Sequence, residues 1–139
     1  MQQPAGSPSG SPSDPKPLQD IHLLLVEDYP MNVLFARKLL EGWGAMVDVA
    51  ENGQRALDLI DAGRHQLVLM DLQMPVMDGY ESARQMRNRG ITLPIIALTA
   101  STAEEIREQL QPNGLNDVLS KPLQADKLLQ MIRRYVVVG

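Results

Sequence analysis

Glu27, Asp28, Asp71, Thr99 and Lys121 each stand at the end of a short apolar run. Leu23-Leu24-Leu25-Val26 leads into Glu27-Asp28, and Leu67-Val68-Leu69-Met70 leads into Asp71. Ile95-Ile96-Ala97-Leu98 leads into Thr99, and Val118-Leu119-Ser120 into Lys121. Runs this short and this apolar suit strands of a parallel sheet covered on both faces. Parallel strands end on one common edge, so acids, a hydroxyl and an ammonium would meet there. Those groups suit Mg2+-assisted phosphoryl transfer.

Each residue has a plainer alternative. Ligands of open parallel sheets bind beyond the carboxyl ends of the strands, where the winding reverses. If the first and third strands are neighbours at that reversal, Glu27, Asp28 and Asp71 gather closely and repel one another. A hard divalent cation with oxygen ligands relieves the repulsion, and Mg2+ is the usual choice beside phosphates. Taken alone, Glu27-Asp28 would serve equally well as acids at the positive end of a helix. Asp71 can attack a phosphoryl group and hold it as a mixed anhydride; otherwise it is only a metal ligand. Lys121 can meet a phosphoryl oxygen as a point charge, and its bond to Pro122 is a candidate for the cis form. Thr99 can donate its hydroxyl to the same group, or cap the next helix.

The elements that must position these residues alternate from Ile21 onward. Strands are expected over 21–26, 45–50, 66–71, 94–99 and 116–120, and helices over 31–43, 53–63, 79–89, 102–111 and 123–136. Phe35, Ala36, Leu39, Leu40 and Trp43 form one apolar face at helical spacing. Ala56, Leu57 and Ile60 do so in the second helix, and Leu128, Ile132 and Tyr135 in the last. Gly44, Gly63, Gly90 and Gly114 lie near helix-to-strand turns, where positive φ ends a helix cheaply. Five βα units with short connections predict an α/β fold, a doubly wound five-stranded parallel sheet.

At 139 residues the chain fits one domain with a real core. Residues 1–19 carry Pro4, Pro8, Pro12, Pro15 and Pro17 among Ser and Gly, and read as a flexible linker before a domain over 20–139. The absence of cysteine excludes disulfides and thiol chemistry. No apolar stretch approaches the roughly 18 residues of a membrane span, and no basic-then-apolar start suggests a signal peptide. A net charge of -4 argues against nucleic acid as an electrostatic partner. His22 and His65 have no partner at metal-ligand or catalytic spacing and are expected to be surface or half-buried, Arg84, Arg87 and Arg89 to form a solvated face, and the methionines mostly to fill the core. Ser101 and Ser120 lack the His-Asp company of a nucleophile.

Four segments carry a resemblance. Leu24-Leu25-Val26-Glu27-Asp28, Met70-Asp71-Leu72-Gln73-Met74-Pro75-Val76-Met77-Asp78-Gly79, Ala97-Leu98-Thr99-Ala100 and Leu119-Ser120-Lys121-Pro122 stand in order and at proper separation. Over about residues 20–137 the chain resembles a receiver domain of a two-component response regulator, most of all the receivers fused to hybrid histidine kinases. The resemblance implies a flavodoxin-like fold with strand order 2-1-3-4-5. It implies that Asp71 accepts phosphate from a phosphohistidine. Asp28 and Asp71 would ligate Mg2+ with the backbone carbonyl of Gln73, and Glu27 would act mainly through water. Thr99 and Lys121 would contact the phosphoryl oxygens. The partner would be a histidine kinase domain or a histidine phosphotransfer domain, with no direct contact to nucleic acid or membrane. The expected location is cytoplasmic, including the cytoplasmic portion of an inner-membrane sensor kinase.

The match departs from the family at Val118, where relatives carry the aromatic side chain coupled to the threonine's movement. Tyr29 is a second oddity, since many hybrid-kinase relatives have Asn after the acidic pair. Other functions stay in view: a stand-alone single-domain response regulator, a pseudo-receiver that binds protein without phosphorylation, and an aspartyl phosphatase of the haloacid dehalogenase type. The last would want an acid two residues beyond Asp71, and position 73 is Gln. Nothing beyond the fifth helix is expected to bind DNA, so output would run through a partner protein.

Overall fold

The computed structural model describes residues 16–136. Most of the expected linker lies outside the described residues. Five strands run β1 (His22–Val26), β2 (Met46–Ala50), β3 (Leu67–Asp71), β4 (Ile95–Thr99) and β5 (Asp117–Ser120). Between and after them lie α1 (Pro30–Gly42), α2 (Gly53–Leu59), α3 (Gly79–Asn88), α4 (Ala103–Leu110), a 3-10 turn at Gln111–Asn113, and α5 (Ala125–Tyr135). All strand pairs are parallel, and the sheet order is β2-β1-β3-β4-β5. This is the expected flavodoxin-like (βα)5 architecture. No helix among the described residues is long and apolar enough to cross a membrane.

The strands read as unbroken apolar runs because both faces are covered. Every residue of β3 and β4 is buried, whereas edge strand β2 buries only Ala50. Side chains alternate between the two faces. Leu23, Leu25, Leu67, Leu69, Ile96 and Leu98 pack with Ala36 and Leu40 of α1 and Leu128 and Ile132 of α5. Leu24, Val26, Val68, Met70, Ile95 and Ala97 pack on the other face with α2, α3 and α4.

Several local expectations change. Phe35 is 49% exposed, because the α1 stripe that meets the sheet runs through Ala36 and Leu40. The second helix ends at Leu59, and the loop after it turns on Asp61 hydrogen bonds to Gly63, Arg64 and His65. Gly44, Gly90 and Gly114 have positive φ as expected, but Gly63 does not. Leu18, placed by composition in the linker, is fully buried, and its N–H bonds the Trp43 carbonyl at 2.8 Å. Of the three arginines expected on a solvated face, Arg87 donates to the carbonyls of Gly114, Ile91 and Leu93, stapling two loops together. Arg89 donates to the Leu57 carbonyl.

Candidate functional site

The sheet order puts the reversal of winding between β1 and β3. Val26 pairs with Met70, so the residues that follow, Glu27 and Asp71, leave the sheet side by side. Across β3 and β4, Asp71 pairs with Leu98, and Thr99 pairs with Ser120 beside Lys121. The apolar runs thus fix not only the strands but which polar ends become neighbours.

Glu27, Asp28 and Asp71 each offer a carboxylate oxygen within 4.8 Å of the others. Glu27 and Asp71 are buried and Asp28 is exposed at the rim. Lys121 Nζ lies 2.9 Å from Glu27 Oε1 and 3.2 Å from Asp71 Oδ2. The Lys121–Pro122 peptide bond is cis. The Gln73 N–H donates to Asp71 Oδ1 at 3.1 Å, which brings the Gln73 backbone to the acid, while its side chain is exposed. Thr99 is buried; its Oγ1 accepts the Ser101 N–H at 3.0 Å, and its carbonyl accepts the Lys121 N–H at 2.7 Å. It does not cap α4, a role taken by Thr102 in a reciprocal pair with Glu105.

Gly79 is what lets α3 begin against this edge. A Cβ there would lie 2.3 Å from the Asp71 carbonyl oxygen and 2.9 Å from Leu72 Cα. Asp78 caps the helix by accepting the Glu81 N–H.

Burial raises the Asp71 carboxyl to a pKa of about 6; the Gln73 N–H and Lys121 oppose the rise, and the charge of Glu27 adds to it. Lys121 moves upward too, because its bond to Glu27 and the nearby Asp71 charge outweigh the burial that would lower it. A cluster of hard oxygen donors whose charge one lysine only partly balances suits a hard divalent cation.

Two neighbours of Glu27 were not anticipated. Its Oε2 accepts the Tyr29 N–H at 3.2 Å and the Asn32 amide at 3.4 Å, so the first turn of α1 holds the acid. Asn32 stands one helical turn past Asp28, which is the signal that could have flagged it. Tyr29 itself is exposed at the crevice rim.

His22 is half-buried as expected, but His65 is not. His65 is buried, and both His22 Nε2 and His65 Nε2 reach Asp48 Oδ2, at 3.0 and 2.8 Å. Arg64 joins them at 3.3 Å. Burial alone would raise the Asp48 carboxyl, but the His65 bond and the charges of His22 and Arg64 bring it below the usual value. The Asp61 N–H donates to His65 Nδ1, so the ring proton sits on Nε2 and points at Asp48. The cluster is therefore a hydrogen-bonded clamp rather than a set of free nitrogen lone pairs.

Together the fold and the site define a doubly wound α/β domain with an acidic crevice and one lysine at its topological switch point. Residues 23–133 match the response regulator receiver domain family. The chain belongs to that family, the receivers of two-component signalling. It is 41% identical over 125 residues to the aerobic respiration control sensor protein ArcB of Escherichia coli (strain K12). That match takes in 88% of this chain and 16% of the relative, so the chain spans about one-sixth of that protein's length. Among solved structures it resembles the receiver domain of a Pseudomonas aeruginosa sensor histidine kinase, which has a magnesium ion coordinated in its active site cleft. Identity is 35% and the TM-score 0.72, covering 83% of this chain and 96% of that one. It also resembles a Saccharomyces cerevisiae response regulator receiver crystallised with a histidine phosphotransfer signalling protein. There identity is 30% and the TM-score 0.78, with 84% and 89% covered.

Proposed function

We propose that this domain accepts a phosphoryl group from phosphohistidine onto Asp71 and passes signals in a phosphorelay, as the receiver of a hybrid sensor histidine kinase. The observation that carries the reading is the position of Asp71, at the end of β3, 3.2 Å from the Lys121 ammonium and within 4.8 Å of Glu27 and Asp28. The match to about one-sixth of a much longer sensor protein supports the parent assignment. In that reading the residues before Leu18 tether the receiver to the kinase, on the cytoplasmic side.

An Asp71 oxygen attacks phosphorus, the P–N bond breaks, and its electron pair leaves with the imidazole. Asp71 then holds the group as an acyl phosphate. Glu27, Asp28, Asp71 and the Gln73 carbonyl would hold Mg2+, which offsets the negative charge of the phosphoryl oxygens. Lys121 supplies a further positive charge to those oxygens, and Thr99 a hydroxyl. The domain catalyses its own phosphorylation in this sense without turning over a small molecule.

The histidine comes from a kinase or phosphotransfer domain. Tyr29, Met31, Leu34 and Phe35 expose about half or more of their surface at the start of α1, beside the crevice. Such an apolar patch suits a helical partner face.

Intact mass after incubation with acetyl phosphate and Mg2+ tests the reading. One added phosphoryl group is expected, absent without Mg2+ and absent in Asp71→Asn. If neither acetyl phosphate nor a phosphorylated histidine phosphotransfer protein adds the group, the reading fails.

A further inference from the structure

We infer that Asn32 is a positioning residue for phosphoryl transfer, acting through Glu27 on Lys121 without touching the reacting atoms. The inference rests on the phosphoacceptor reading of Asp71 and adds a residue to it. Glu27 is 3% exposed, so its carboxylate depends on protein donors rather than water. Its two oxygens divide their work. Oε1 takes Lys121 at 2.9 Å, and Oε2 takes the Tyr29 N–H at 3.2 Å and the Asn32 amide at 3.4 Å. Asn32 is the sole side-chain donor to Oε2 among these contacts.

The second side of the argument is the ammonium. Lys121 Nζ is shared between Glu27 and Asp71, 2.9 Å from one and 3.2 Å from the other. Where it rests depends on how strongly Glu27 pulls. A donor on Oε2 withdraws charge from Glu27 and fixes the plane of its carboxylate. Without that donor Glu27 draws Lys121 toward itself and away from Asp71, where the phosphoryl oxygens would need it.

The location suits such a role. Asn32 sits in the first turn of α1, a helix whose N-cap, Tyr29, has no side-chain capping bond. Asn32 also lines a cavity of about 260 Å³ together with Glu27, Phe35, Leu98 and Lys121. Its amide faces the crevice, while its neighbours Met31 and Leu34 face outward.

The experiment uses the full chain and the variants Asn32→Ala and Asn32→Asp. Rate constants for phosphorylation by acetyl phosphate are measured at saturating Mg2+. Calorimetry gives the Mg2+ affinity, and carbon NMR follows the Glu27 side-chain carboxyl without Mg2+. Asn32→Ala is expected to slow the rate constant about fivefold, equivalent to roughly 1 kcal/mol, to leave the Mg2+ affinity within about twofold, and to shift the Glu27 carboxyl signal. Asn32→Asp, the same shape with no amide donor and an added charge, is expected to slow it further. Thermal melts identify any variant that fails to fold, and the other then decides. A folded variant with the wild-type rate constant or an unmoved Glu27 signal overturns the inference, as does a rate loss fully explained by weaker Mg2+ binding. If the wild-type chain takes no phosphate, it is the reading of Asp71 that fails.

Discussion

Lys121 Nζ lies 3.2 Å from Asp71 Oδ2, yet Asp71 still titrates above the ordinary aspartate range. The pairing does not outweigh burial and the neighbouring Glu27, so the ionised site is held at a cost to the fold.

That cost has a defined pH window. The Asp71 carboxyl moves from 3.8 to about 6 on folding. A group with a raised folded-state pKa contributes its full stability below the unfolded value and loses it as pH rises through the folded value. Asp71→Asn, which keeps the shape of the neutral acid, is therefore expected to match the wild type near pH 3.5. It should exceed it by roughly 2–3 kcal/mol above pH 7 without Mg2+. Urea unfolding across that range checks this. Added Mg2+ should narrow the gap by stabilising the wild type alone.

Two glycines make a matched pair. A Cβ at Gly79 would strike the backbone of Asp71 and Leu72, whereas at Gly42, the last residue of α1, it meets nothing within 4 Å. Gly79→Ala is expected to cost about 2–3 kcal/mol and to weaken Mg2+ binding by displacing the end of β3. Gly42→Ala should gain up to about 1 kcal/mol and leave Mg2+ binding alone. Thermal melts and calorimetry on the two variants separate these outcomes.

The register of the strand ends explains how much was legible beforehand. Each apolar run announced a buried parallel strand, and the polar residue closing it announced the edge; Glu27, Asp28 and Asp71 meet there because Val26 pairs with Met70. Lys121 was legible for the same reason. The Asp48 clamp was not, because His22, Asp48 and His65 come from three different segments, and their contact depends on how strand alternation and one loop combine. Asn32 was hidden by its type, since a polar residue in a helix's first turn usually faces water. Phe35 misled because periodicity alone does not say where an apolar stripe stops.

Val118 tests how far a signal travels from the site. It is buried with Ile106, Leu110 and Leu115 and has no ring to swing. Binding of beryllofluoride with Mg2+, a phosphoryl mimic, is expected to shift backbone amides near Asp71, Thr99 and Lys121 strongly and those of α4 only weakly. A full rearrangement along Ala103–Leu110 would show that the valine is no obstacle.

The exposed start of α1 separates chemistry from docking. Leu34 is 53% exposed and borders the cleft that Glu27 and Asp28 line, but takes no part in the ion pairs that hold Lys121 between Glu27 and Asp71. A charge placed there would have to be desolvated against a partner's apolar face. Leu34→Asp is therefore expected to slow phosphotransfer from a histidine phosphotransfer protein by about tenfold or more, while phosphorylation by acetyl phosphate stays at the wild-type rate. Parallel time courses with the two donors measure the split. Equal slowing with both would mean that the substitution disturbs the site itself, and no slowing with either would move the docking surface away from α1.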